Sequence, residues 1–105
     1  MSEIPEIDIE RLAELLDEGI VLIDVREDDE VADGHVPGIV HIPLATVPDR
    51  VDDIPTDRPV YVICAAGGRS ANAVRFLRTQ GIDATNVAGG TMAWIASGRS
   101  VDRPA

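Results

Sequence analysis

Short apolar runs alternate along the chain with stretches in which apolar positions recur every three or four residues. Ile20-Val21-Leu22-Ile23, Ile39-Val40-His41-Ile42, Val60-Tyr61-Val62-Ile63 and Ala84 to Val87 predict strands. The first and third are continuous and rich in β-branched residues, as expected for strands buried on both faces of a parallel sheet. Ile4 to Ile7, around Pro5, predicts a minor edge strand. Between these runs lie the helical patterns. Asp8 reads as an N-cap, followed by Ile9, Leu12, Ala13 and Leu16 on one face with Leu15 beside them, Glu10 and Glu14 on the other face, and Gly19 as the stop. Ser70 to Gln80 predicts a helix with Ala73, Val74 and Leu77 inward, Arg75 and Arg78 outward, and Gly81 at its end. Ala45 to Val51 predicts a short helix with Pro48 near its start. Thr91 is placed to cap a last helix through Met92, Ala93, Trp94 and Ile95, closed by Gly98. Residues 1–3 and 100–105 read as loose ends. The alternation predicts an α/β domain with a mainly parallel sheet and helices on both faces. A chain of 105 residues suits a single domain.

In such sheets ligands sit at the carboxyl ends of the strands. Two predicted strand ends carry chemistry. The run from Ile20 ends at Asp24-Val25-Arg26, and the run from Val60 ends at Cys64, the single cysteine of the chain. Asp24 and Cys64 are therefore expected to be spatial neighbours. Cys64 is followed by Ala65-Ala66-Gly67-Gly68-Arg69-Ser70 and then by the helix. Gly67 and Gly68 admit backbone angles that let successive amides turn toward the sulfur. Arg69 adds a fixed positive charge, Ser70 is placed to cap the helix, and the positive end of the helix dipole points at the same place. Each feature favours thiolate over thiol. The four acids Glu27 to Glu30 read as a solvated capping turn. His35, before Val36-Pro37-Gly38, reads as a hydrogen-bonded structural histidine, Arg26 as structural, and Asp24 as equally suited to a structural and a catalytic role. Trp94 reads as core.

Composition narrows the partners. The net charge is −10 and all nine basic residues are arginine, which argues against nucleic acid and against an anionic membrane surface. No apolar run approaches bilayer length, and the acidic N-terminus lacks the features of a signal peptide, so a cytoplasmic location is expected. One cysteine and two histidines six positions apart make neither a disulfide nor a metal site. A monomer is expected. With no second thiol to resolve an intermediate, any group carried on Cys64 must leave to an external acceptor.

Four segments in order resemble the rhodanese-like sulfurtransferase family, here a single-domain rhodanese. They are Ile23-Asp24-Val25-Arg26; Glu30 to Gly38, running on to Ile42-Pro43; Cys64 to Ser70; and Gly89-Gly90-Thr91-Met92-Ala93-Trp94. The resemblance spans nearly the whole chain. It implies a five-stranded, mostly parallel sheet flanked by helices and sulfur transfer through a Cys64 persulfide. The donor would be a small anion such as thiosulfate or a persulfide, and the acceptor a thiol, a protein or cyanide. Loop amides from Ala65 to Ser70 would bind the substrate, Arg69 would orient loop or substrate, and no cofactor or metal would be needed. The alternative is a non-catalytic module using the same fold to bind a partner. Cysteine phosphatases have a similar loop but place five residues between cysteine and arginine; here there are four, which fits sulfur better than a tetrahedral oxyanion. Ala65-Ala66 stand where many single-domain members carry polar or basic residues, Val31 where an aromatic is frequent and His41 where asparagine is frequent. The missing loop charge points to a persulfide rather than thiosulfate as donor.

Overall fold

A computed structural model describes residues 4–104. Strands β1 (Glu6–Ile7), β2 (Val21–Asp24), β3 (Val40–His41), β4 (Val60–Ile63) and β5 (Ala84–Val87) form one five-stranded sheet in the order β1-β5-β4-β2-β3. Every pairing between these strands is parallel. β2 leads to β3 on one side and β4 leads to β5 on the other. The sheet thus reverses direction between β2 and β4, and Cys64 follows directly from the end of β4. That is the position at which open parallel sheets place their ligands.

Side-chain alternation along the strands divides the core in two. Ile23, Val25, Val60, Val62 and Cys64 pack with Val47, Ile54, Ala73, Val74 and Leu77. These belong to or adjoin a 3-10 helix (Leu44–Asp53) and helix α3 (Gly68–Thr79). Leu22, Ile63 and Val87 pack on the opposite side with Ile9, Leu12 and Trp94, from α1 (Ile9–Leu16) and α4 (Gly90–Ala96). The expectation of helices on both faces is met. Asp8 caps α1 as its position predicts, accepting the Arg11 amide at 2.9 Å. On α1, Leu15 is buried with Ile9 and Leu12, and Leu16 lies nearer the rim.

Three local readings differ from the structure. The segment after Leu44 is a 3-10 helix of ten residues rather than a short α-helix; Pro48 inside it supplies no amide hydrogen for the α-helical ladder. Helices α3 and α4 begin earlier than the hydroxyl residues suggested. Gly67 and Gly89 occupy their N-cap positions at φ +110° and +82°. Neither Ser70 nor Thr91 caps; both are buried inside the first turn. The tail is not loose throughout. Asp102 exchanges two backbone hydrogen bonds with His35, at 3.0 and 2.8 Å, and the Trp94 indole donates to Ser100 O at 3.0 Å. Residues 1–3, also read as a loose end, lie outside the described residues, as does residue 105.

Candidate active site

The loop after β4 is shaped from outside. The amides of Thr91 and Met92, at the start of α4, each donate at 2.9 Å to the carbonyls of Cys64 and Ala65. A trans peptide points its N–H opposite to its C=O. Drawing these carbonyls toward α4 therefore turns the following amides away from α4, and that of Ala66 faces the sulfur. Gly90 lets the two segments come this close: a Cβ there would lie 2.5 Å from both the Cys64 and Ala65 carbonyl oxygens.

The Gly67 amide donates to Cys64 Sγ at 3.1 Å, and Ser70 Oγ stands 3.3 Å from it. Burial pushes the Cys64 thiol up. The Ser70 hydroxyl and the amides of Ser70, Gly67 and Ala66 outweigh it, so the group ionises below the ordinary thiol range. Alkylation by iodoacetamide is expected to follow a single titration with a midpoint below the roughly 8.5 of a free cysteine. Rates should fall as pH drops through that midpoint. A midpoint at or above the free value would contradict the cradle.

Arg69 does not reach toward the sulfur as a free cation. Its two terminal nitrogens bind the Glu30 carboxylate at 2.7 and 2.9 Å. Glu30 lies on α2 (Asp28–Asp33), whose first turn closes a capping box with Glu27. The bond from Arg69, then the Glu27 amide, hold the Glu30 carboxyl down at about 2, and Glu30 in turn raises Arg69. Glu30 is therefore not one of four solvated acids: it ties α2 to the loop after β4. A carboxyl depressed from 4.5 to about 2 contributes stability that is full above its ordinary range and is lost as pH falls toward 2. The pair is about one-third exposed, so its contribution is of order 1 kcal/mol or less. Glu30→Gln should accordingly lower Tm by a few degrees near pH 7, and the difference should disappear near pH 2 in parallel melts.

Asp24 and Arg26 form a second pair, 0% and 5% exposed. Arg26 Nη2 and Nε bind the Asp24 carboxylate at 2.9 to 3.1 Å. The same guanidinium donates to the carbonyls of Gly34 (2.9 Å) and Glu30 (3.3 Å), closing the end of α2. Strand pairing does bring Asp24 beside the end of β4, opposite Ile63. Both of its oxygens nevertheless face Arg26, which favours the architectural reading. His35 Nδ1 donates to the Val31 carbonyl at 2.9 Å, and His41 Nε2 to that of Arg26 at 2.7 Å. Both histidines brace the α2 region.

One further residue belongs to the cluster. Asn86 on β5 is 1% exposed and touches Ser70, Gly67 and Glu6. An asparagine between Thr85 and Val87 in a predicted strand was the available signal, and only the fold shows that it stands behind the loop. A surface groove of about 810 Å³ lies elsewhere. It is lined by Leu16, Gly19, Ile20, Pro37, Gly38 and Trp94 among others, near the segments that enter β2 and β3, at the opposite ends of the strands from Cys64.

Comparison with known proteins decides the family. The family model for the rhodanese-like domain matches residues 8–97. The chain belongs to the rhodanese-like family. It is 44% identical to YtwF of Bacillus subtilis, over 88% of this chain and 91% of that protein. It is 36% identical to a sulfurtransferase of Allochromatium vinosum, over 94% and 95% of the two chains. The crystal structure of a rhodanese-related protein from Thermoplasma volcanium superposes with a TM-score of 0.88 at 33% identity, covering 93% of this chain and 97% of the other. Within the matched residues, the loop Cys64 to Ser70 is held from behind by α4. No helix among the described residues is long and apolar enough to cross a membrane.

Proposed function

We propose that the protein is a sulfurtransferase that carries sulfane sulfur on Cys64. The observation that carries this reading is the polar cradle of the Cys64 sulfur, to which the Gly67 amide donates at 3.1 Å and beside which the Ser70 hydroxyl stands at 3.3 Å. This cradle favours the thiolate that must act as nucleophile. The thiolate attacks the outer sulfur of the donor. A Cys64 S–S bond forms, the donor's own S–S bond breaks, and the leaving group departs with that electron pair: sulfite from thiosulfate, or a thiolate from a persulfide. An acceptor nucleophile then attacks the outer sulfur of the Cys64 persulfide and releases the Cys64 thiolate. No net oxidation occurs, so neither cofactor nor metal is called for. Inward amides from Ala66 to Ser70 hold the anionic outer sulfur by preorganised dipoles, and Arg69 braces the loop through Glu30.

Charge favours a persulfide donor. Arg69 is occupied by Glu30 and Arg26 by Asp24, the loop positions Ala65 and Ala66 are neutral, and the whole chain carries −10. A doubly charged thiosulfate finds amides but no free guanidinium among these residues. Incubation with thiosulfate and, separately, with a small-molecule persulfide, followed by intact mass, tests the proposal. A gain of one sulfur atom, reversed by cyanide, is expected with both and faster with the persulfide. No gain with either donor would leave the partner-binding module as the better reading. In Glu30→Gln the freed Arg69 should narrow the gap between the two donors by roughly threefold to tenfold, the scale of one exposed charge contact.

A further inference from the structure

The Ser70 hydroxyl lies between two acceptors and has one proton. Its oxygen stands 2.5 Å from Asn86 Oδ1 and 3.3 Å from Cys64 Sγ. Ser70, Asn86 and Cys64 are all buried, at no more than 1% exposure. The orientation of Asn86 is set from its other end. Its Nδ2 donates to the Glu6 carboxylate at 2.8 Å and to the Gly67 carbonyl at 3.3 Å. Neither oxygen could bond to Oδ1, so Oδ1 faces Ser70 and the short contact between them requires Ser70 to donate.

The charge states of the sulfur therefore differ in how well they suit this network. A Cys64 thiol fits: its S–H donates to Ser70 Oγ, whose own proton rests on Asn86. A persulfide also fits, because its charge lies on the outer sulfur and the inner sulfur is a weak acceptor. A bare thiolate draws the Ser70 proton to itself and leaves Asn86 Oδ1 buried without a donor, which is costly for a carbonyl that solvent does not reach.

We propose that Asn86, locked by Glu6, is a positioning residue that competes with Cys64 for the Ser70 proton and so favours the sulfur-loaded form over the bare thiolate. It acts through Ser70 and touches no reacting atom. The part concerning the loaded form rests on the persulfide reading above; the competition for the proton does not. The charged groups facing this cluster are Arg69 of α3, already neutralised by Glu30 of α2, and Glu6 of β1.

The test is an ultraviolet titration of the Cys64 thiolate in the full chain with no sulfur donor present. Asn86→Val keeps a strand-forming residue and removes the competing acceptor. Its midpoint is expected to fall by roughly half to one pH unit, the scale of one hydrogen bond to a charge. Ser70→Ala should raise the midpoint, and Asn86→Val should then cause no further shift in the Ser70→Ala background. A residue that merely propped the loop would raise the midpoint when removed, or shift it with or without Ser70; either result overturns the proposal. Should Asn86→Val not fold, Glu6→Ala at an exposed position carries the same test. Unlocking the amide should lower the midpoint even in about half-molar salt, where an exposed charge is screened, and no shift there overturns it. Cyanide discharge of the loaded protein is a separate arm, expected to be about threefold to tenfold faster in Asn86→Val. Failure to load sulfur would sink the sulfurtransferase reading while leaving the titration result standing.

Discussion

Cys64→Ser is expected to accept no sulfur from any donor and to transfer none. The hydroxyl is nearly isosteric and inherits the Gly67 and Ser70 contacts at 3.1 and 3.3 Å, so the site stays built. What is lost is the chemistry. Serine does not ionise in the range where a thiol does, and an oxygen nucleophile forms no persulfide. The chain has no second cysteine to substitute for it. Transfer should fall by roughly a thousandfold or more, as removal of a nucleophile does. Melting should change by only a few degrees, since the residue is buried and the swap is small. Intact mass after donor treatment, with a melt on the same sample, reads both. Sulfur gained by a folded Cys64→Ser protein would mean that another group carries it.

The second large effect is expected at a residue with no chemistry of its own. Gly90 has φ +60°, and a Cβ there would meet the Cys64 and Ala65 carbonyl oxygens at 2.5 Å and the Ala65 carbonyl carbon at 2.7 Å. These are backbone atoms of the loop after β4 and cannot swing aside as a side chain would. Gly90→Ala should cost about 3 kcal/mol or more, from backbone strain and the clash together, a fall of roughly 10–20 °C in Tm for a domain of this size. Whatever folds should have the loop pushed away from α4. The amides would then lose their inward aim and the Cys64 thiol would ionise at higher pH. Gly98→Ala is the matched control. Gly98 also has positive φ, at +84°, but nothing lies within 4 Å of its would-be Cβ. Only the conformational penalty of about 1–2 kcal/mol remains, and the thiol titration should not move. If both variants lose stability equally and neither shifts the thiol, α4 does not shape the loop.

Several features of this domain could be read from local pattern because their causes are local. Short apolar or alternating runs, β-branched in β2 and β4, placed all five strands to within a residue or two at most ends. Asp8 capped α1 as its position just before the apolar-periodic run from Ile9 implied. The strand–Cys64–glycine order placed the thiol at a carboxyl end. Other features were misread because their causes are distant. Glu30 looked like one of four solvated acids; its partner Arg69 is 39 positions away. Asn86 looked like an ordinary strand residue; its contact with Glu6 spans 80 positions. Ser70 looked like a cap, and the fold turned it instead to the sulfur. Asp102 looked loose, and His35 holds it.

By itself, then, the sequence determined the order of elements, the parallel sheet, the single cysteine and the four-residue spacing between Cys64 and Arg69. These follow from side-chain periodicity, from glycine and proline, and from counting. Only the tertiary structure decided which way the loop faces. The Cys64 and Ala65 carbonyls turn toward the Thr91 and Met92 amides, more than 20 positions away, because Gly90 leaves room for the approach. With the Ala65 carbonyl drawn outward, its planar trans peptide turns the Ala66 amide toward the sulfur.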